Sequence, residues 1–283
     1  MMRLDAASVL LQWATGGLFF LWITTRRREV GLGYGWMMRA TFGLLALGGF
    51  GVSFLTGRSW GRDLACLGVF AASMAALGVS VARRRAGVAG QRERVERRSA
   101  RVAAMTGIDR DVQTFDRAAP EFPPALDLVA PVIGVVGLLF AAFAAGGPWG
   151  TAVLRMLSGA AFLGAVTDAM LLGHWYLVQP GLARAPLREL VRWCAYTWPV
   201  ELVVLLLPTG MLSVLSGSID DGYGGLLGWF WVACTVATIA LVAVTWAALK
   251  ERQYSAVMAA TGLLYLAILT AFGQDLVARA VLS

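Results

Sequence analysis

Residues 6–28 read AASVLLQWATGGLFFLWITTRRR, twenty residues without a charge and then three consecutive arginines. At about 1.5 Å of rise per residue, a helix of that length crosses the roughly 30 Å hydrocarbon core of a bilayer. Because Lys and Arg collect on the cytoplasmic side of a membrane, Arg26, Arg27 and Arg28 set the direction of this first crossing. A secretory signal carries its basic residues ahead of the apolar run and ends in a small-residue cleavage pattern. Here the cluster follows the run, so the segment is expected to stay as an anchor.

The same grammar repeats along the chain. Hydrophobic residues make up 58% and charged residues only 14%, against roughly 25% charged in soluble domains, which excludes an ordinary soluble fold. Further apolar runs cover Ala40 to Leu55, Leu64 to Val81, Leu126 to Ala145, Thr151 to Val178, Trp193 to Leu215, Leu226 to Leu249 and Ser255 to Val277. A lipid-exposed backbone must satisfy its own hydrogen bonds, and runs without alternation do not suit barrel strands, so each is read as a helix. The expected fold is an all-α integral membrane protein, a bundle of eight transmembrane helices with both termini on the non-cytoplasmic side. Residues 1–81 hold helices one to three, residues 82–125 an arginine-rich, partly helical cytoplasmic loop, and residues 126–283 helices four to eight.

Charge placement gives that orientation. Connectors after the odd-numbered spans hold Arg26, Arg27, Arg28 and Arg39, the arginines from Arg83 to Arg117, then Arg184, Arg188, Arg192, Lys250 and Arg252. The other side has Arg3, Arg58, Arg62, Arg155 and Arg279, and its connector from Ser216 to Gly225 is acidic through Asp220 and Asp221. A seven-span threading would put a basic group on the wrong side. The net charge of +7 is thereby explained by topology and needs no nucleic acid. Placement of the basic face toward the cytoplasm points to a bacterial-type inner membrane.

In the loop, Val88, Val95 and Val102 recur every seven residues amid Arg and Glu, which predicts a helix with one narrow apolar stripe. Such a helix lies on the membrane with Arg83, Arg84, Arg85, Arg97 and Arg98 near anionic lipid headgroups, extends span three into solvent, or docks a partner subunit. The stretch AAPEFPPALDL from Ala118 reads as an extended re-entry linker. GLGYGW at Gly31 to Trp36 has no strand before it and no Lys-Ser or Lys-Thr pair after it, and is assigned to turns. Cys66, Cys194 and Cys234 lie far apart within spans, without ligand spacing.

Polar groups inside spans five and six carry the functional signal, because ionisable side chains in a membrane face protein or water. In span five, Ala161, Ala165 and Ala169 and the adjacent Ala160, Gly164 and Asp168 recur every four residues, a small-residue ridge that admits a close neighbouring backbone. With Val178 and Trp193 taken as the cytoplasmic edges, Asp168 lies about 15 Å deep and Glu201 about 12 Å deep. The two acids are expected to face each other as a proton-handling pair, with Arg155 snorkelling outward. His174, the one histidine, is expected to present a donor to a quinone-like ligand, with Trp175 and Tyr176 as flat walls and Thr167 on the same arc. Quinone is the cofactor these residues suit. A bis-histidine haem needs a second histidine, and a haem with an axial Met needs Met170, Met211 or Met258 to converge on His174. Pro199 and Pro208 flank Glu201 and predict a kinked or opened helix, with a second break at LPTGM.

No motif in the chain specifies a reaction. The reading is a non-catalytic or electron-transfer-associated subunit of an inner-membrane complex, with a quinone-like or proton-handling site between helices five and six. A proton- or cation-coupled permease using Asp168 and Glu201, and a membrane scaffold in which those acids lock packing, are the alternatives.

Overall fold

The structure, a computed structural model, describes residues 5–87, 91–107, 114–179, 181–251 and 253–282, without the side chains of Gln91 and Thr106. Val88 of the apolar stripe, Pro180, and Arg3, Arg110 and Arg252 of the charge pattern lie outside the described residues. The described chain is all-helical. Its elements are α1 (Ala6–Thr25), α2 (Leu32–Thr56), α3 (Trp60–Ala82), α4 (Gln91–Thr106), α5 (Val129–Ala144), α6 (Trp149–Val178), α7 (Ala185–Leu206), α8 (Gly210–Leu215), α9 (Leu226–Ala248) and α10 (Tyr254–Leu282). A 3-10 turn at Pro124–Leu128 leads into α5. Seven of these helices are long and apolar enough to cross a membrane: α1, α2, α3, α5 with its leading turn, α6, α9 and α10.

Helices α1 and α6 form the centre and are the most enclosed. Helices α2 and α5 flank α1, while α7 and α10 flank α6, and α9 packs on α10. The two central helices meet backbone to backbone. A Cβ added to Gly16 would sit 1.8 Å from the Ala160 carbonyl oxygen, and one on Gly164 would sit 2.3 Å from the Gly16 carbonyl carbon. The small-residue ridge of span five therefore seats α1. Outward faces carry exposed Leu44, Phe54, Phe143, Trp229 and Leu269, an apolar exterior that suits lipid.

Arginine-rich connectors gather at one end of the bundle. Arg26 and Arg27 pair with Glu189 at 2.5 and 3.4 Å. Arg28 pairs with Glu121 at 2.7 Å, and Arg83 donates to the Glu121 carbonyl at 2.6 Å. Arg184 donates to the Gln253 carbonyl at 2.7 Å, and Arg188 to the Leu249 carbonyl. Helix α4 lies across this end, with Val102 against Gly181 in the α6–α7 turn. The chain's own connectors thus cover part of its apolar stripe.

Two sequence assignments change. GLGYGW is not a turn: Gly31 starts α2 and Leu32–Trp36 are helical. Arg39 is consequently a buried helix residue rather than a connector residue, and its charge is neutralised by a bidentate pair with Asp127 at 2.7 Å through both oxygens. The sixth run also differs. Helix α7 begins at Ala185, two turns before Trp193, because amphipathic periodicity extends upstream through PLRELVR, with Leu187, Leu190 and Val191 buried, Arg188 half-buried and Arg192 exposed. It continues through Pro199, stops at Leu206 and resumes as α8 after Pro208. The break foreseen at LPTGM is present.

At the opposite end, Asp221 caps α9. Its Oδ1 accepts from Tyr223 N at 2.9 Å and Gly225 N at 2.8 Å, and its Oδ2 from Leu227 N at 2.8 Å. These N–H groups, Gly225 first, hold its carboxyl below the usual Asp value. A depressed carboxylate contributes its stabilisation above the ordinary Asp pKa of about 3.9 and loses it as pH falls through the folded value. In hydrogen-exchange mass spectrometry, Asp221→Ala is expected to deprotect residues 223–228 at pH 7. The unsubstituted protein should lose the same protection only as pH falls below the ordinary Asp value of about 3.9, after correction for intrinsic rates.

Candidate functional site: a buried charge cluster at a helix break

Glu201 does not face Asp168. Counting from Ala185, where α7 begins, Glu201 lies sixteen residues along, about 24 Å from the arginine-rich end. Its carboxyl instead faces Ser158 of α6 and Asp275 and Arg279 of α10. Ser158 is ten residues, about 15 Å, from Asp168 along α6. The paired-acid expectation fails because α7 starts at Ala185, two amphipathic turns ahead of the apolar run, which sets Glu201 that much farther from the arginine-rich end.

What surrounds Glu201 is a cluster built from four helices. Arg279 Nε donates to Asp275 Oδ1 at 2.7 Å, one helical turn back, and Arg279 Nη2 donates to the Arg155 carbonyl at 2.8 Å. Arg155 does not snorkel outward. It is 7% exposed, and its Nη2 donates at 2.6 Å to the Leu207 carbonyl, a group that the α7–α8 break leaves without a helical partner. From α1, the Gln12 amide reaches the same place: a Cβ on Gly159 would lie 2.1 Å from Gln12 Nε2, 2.2 Å from Arg279 Nη2 and 2.9 Å from Asp275 Oδ1. Gly159 therefore leaves the space in which these three side chains meet.

Formal charge balances, two carboxylates against two guanidinium groups, but hydrogen bonding does not. Both oxygens of Glu201, Asp275 Oδ2, Arg155 Nε, Arg279 Nη1, Ser158 Oγ and both amide atoms of Gln12 are buried without a protein hydrogen bond. Buried polar groups in that state call for water, a ligand or a shared proton to satisfy them.

The remaining sequence candidates disperse. Asp168 is fully buried with neither oxygen hydrogen-bonded. Its electrostatic neighbours are Tyr34 of α2 and Cys194 of α7, and the Tyr34 hydroxyl lies 3.5 Å from its backbone carbonyl. Thr167 accepts from Trp13 Nε1 at 2.9 Å, which ties α6 to α1. His174, Trp175 and Tyr176 do not line one slot, because successive helical residues diverge by about 100°. His174 is exposed, with Nδ1 3.0 Å from the Tyr265 hydroxyl. Trp175 packs on Tyr34 with ring centroids 5.9 Å apart. Tyr176 is buried and donates to the Ala183 carbonyl at 2.5 Å.

Asp275, Arg279 and Gln12 were not among the sequence candidates. A signal existed in GQDLVAR at residues 273–279, where Asp and Arg at i and i+4 form a helical ion-pair spacing. Ending span eight at Val277 placed Arg279 outside the membrane and hid the pair. Comparison of the chain with protein-family models, curated proteins and solved structures found no match.

Proposed function

We propose that the protein is a proton-coupled permease of a bacterial-type inner membrane, with the Arg155–Glu201–Asp275–Arg279 cluster as its coupling site and Asp168 as a separate proton-handling carboxyl. One observation carries this reading: four ionisable side chains from α6, α7 and α10 are buried together beside a helix break. Ionisable groups inside a membrane bundle mark ion and proton pathways, and interrupted helices line the sites of transporters. In this reading α7 and α8 together make one crossing, giving eight crossings with both termini on the non-cytoplasmic side. Its support is that α7 starts beside the arginine-rich connectors and ends against Arg155, near the other end of α6. Arg84, Arg85, Arg97 and Arg98 are exposed at the arginine-rich end and, with Arg83, reach anionic headgroups.

Proteoliposomes loaded with a pH-sensitive dye test the proposal under an imposed potassium diffusion potential. The protein is expected to admit protons well above empty vesicles, and Glu201→Gln, which keeps size and shape, should reduce that flux at least tenfold with assembly unchanged. Flux equal to empty vesicles, or undiminished in Glu201→Gln, overturns it.

A groove between α7 and α9 favours a second reading, as an electron-transfer-associated subunit. Val191, Ala195, Tyr196, Ile239, Val242 and Trp246 line about 360 Å³ there, and Arg192 stands over Trp246 at its rim, 5.7 Å from the ring centroid. An isoprenoid quinone tail suits that lining. Copurification with dehydrogenase or cytochrome subunits is the outcome that would support this reading.

A further inference from the structure

The arginine-rich end encloses a half-open cavity of about 380 Å³ between the α1–α2 turn, α4 and the last turn of α6. Its walls are apolar and aromatic, with Trp36, Phe115 and Trp175 among them, and its polar groups are Arg28, Arg92, Glu96 and Gln179. Charge in it is unevenly matched. Arg28 is paired with Glu121 at 2.7 Å, and the neighbouring Arg39 is spent on Asp127. Glu96, buried in the wall, has a partner of its own. Arg92 alone, half-buried at the start of α4, has no ion pair among the described residues. Burial and the nearby Arg28 and Arg39, partly offset by the attraction of Glu121, pull its guanidinium down to about 10, so it stays cationic at neutral pH.

Gln179 completes the lining. It is 4% exposed, and its Oε1 is fixed by two donors, Gly31 N at 2.8 Å and Trp175 Nε1 at 3.0 Å. Occupation of the oxygen from both sides orients the amide, and the NH₂ group is left as a donor on the cavity side. A fixed amide donor, a guanidinium without an ion pair among the described residues and aromatic walls at the arginine-rich end of the bundle are the features that recognise a phosphate oxyanion carried at the edge of an apolar phase.

We infer that this cavity is a binding site for a single phosphate-bearing anion, with Arg92 as its charge partner and the Gln179 amide as its second donor. It is independent of the buried cluster around Glu201.

The test is the shift of the thermal unfolding midpoint of the purified protein in detergent with rising ligand concentration, using short-chain phosphatidylglycerol, short-chain phosphatidylcholine and inorganic phosphate as probes. Saturable stabilisation by phosphatidylglycerol but not phosphatidylcholine is expected. Arg92→Ala should weaken it at least tenfold, Arg92→Lys should keep part of it, and Arg97→Ala, on the exposed face of the same helix, should leave it unchanged. The same variant pattern with inorganic phosphate assigns the site to a soluble phosphate compound, whereas a response to the lipid alone assigns it to a headgroup. Equal loss in Arg92→Ala and Arg97→Ala, equal binding of phosphatidylcholine, or no saturable response to either anion overturns the inference.

Discussion

Asp275→Ala is expected to destabilise the protein by about 3–5 kcal/mol, the cost of breaking a buried ion pair from one side. Arg279 is 2% exposed and its Nε has Asp275 Oδ1 as its carboxylate partner at 2.7 Å. Removing that partner leaves two guanidinium groups, Arg155 and Arg279, against the single carboxylate of Glu201. The double variant Asp275→Leu with Arg279→Leu keeps Arg155 and Glu201 in balance and should recover most of the loss, since replacing both members of a buried pair by apolar groups is often neutral. Thermal unfolding in detergent checks both. Stability of Asp275→Ala within about 1 kcal/mol of the starting protein would mean that the site is solvated well enough to leave Arg279 unpaired, and the cluster as described would be wrong.

Gly164→Val is expected to yield no folded protein, and Gly16→Ala to lower stability by several kcal/mol, above the usual overpacking cost of about 1–3 kcal/mol. At both positions the obstruction is backbone, the Gly16 carbonyl group in one case and the Ala160 carbonyl in the other, so no rotamer change can relieve it. Either α1 moves off α6, or the helices separate and expose their buried faces. Gly150→Ala, where an added Cβ meets nothing within 4 Å, is the matched control and should behave as the unsubstituted chain. Monodispersity on size-exclusion chromatography, followed by thermal unfolding, distinguishes the outcomes.

These two expectations bear on different parts of the molecule. The α1–α6 crossing was legible in advance on one side only, as a ridge of small residues spaced by four on span five. That Gly16 is its partner depends on which helix α6 meets. The charge cluster was legible only in pieces. Glu201 and the proline break were visible as local anomalies in an apolar run, and Asp275 with Arg279 formed a helical pair that an early boundary obscured. Arg155 was assigned to lipid because arginine near a helix end ordinarily snorkels, and it turns inward because the broken end of α7 offers it the Leu207 carbonyl.

The amino-acid sequence by itself determined the solvent this chain occupies, the helical form of its runs and the segregation of basic connectors to one end. Each follows from local quantities: the apolar length needed to span a bilayer, the backbone's need to satisfy itself in lipid, and the count of arginines between runs. Only the tertiary structure decided which polar groups meet. Axial height depends on where a helix starts, and two amphipathic turns at Ala185–Arg192 shifted Glu201 by about 12 Å. Facing depends on which helices are neighbours, so Glu201 came to lie with α10 rather than with Asp168.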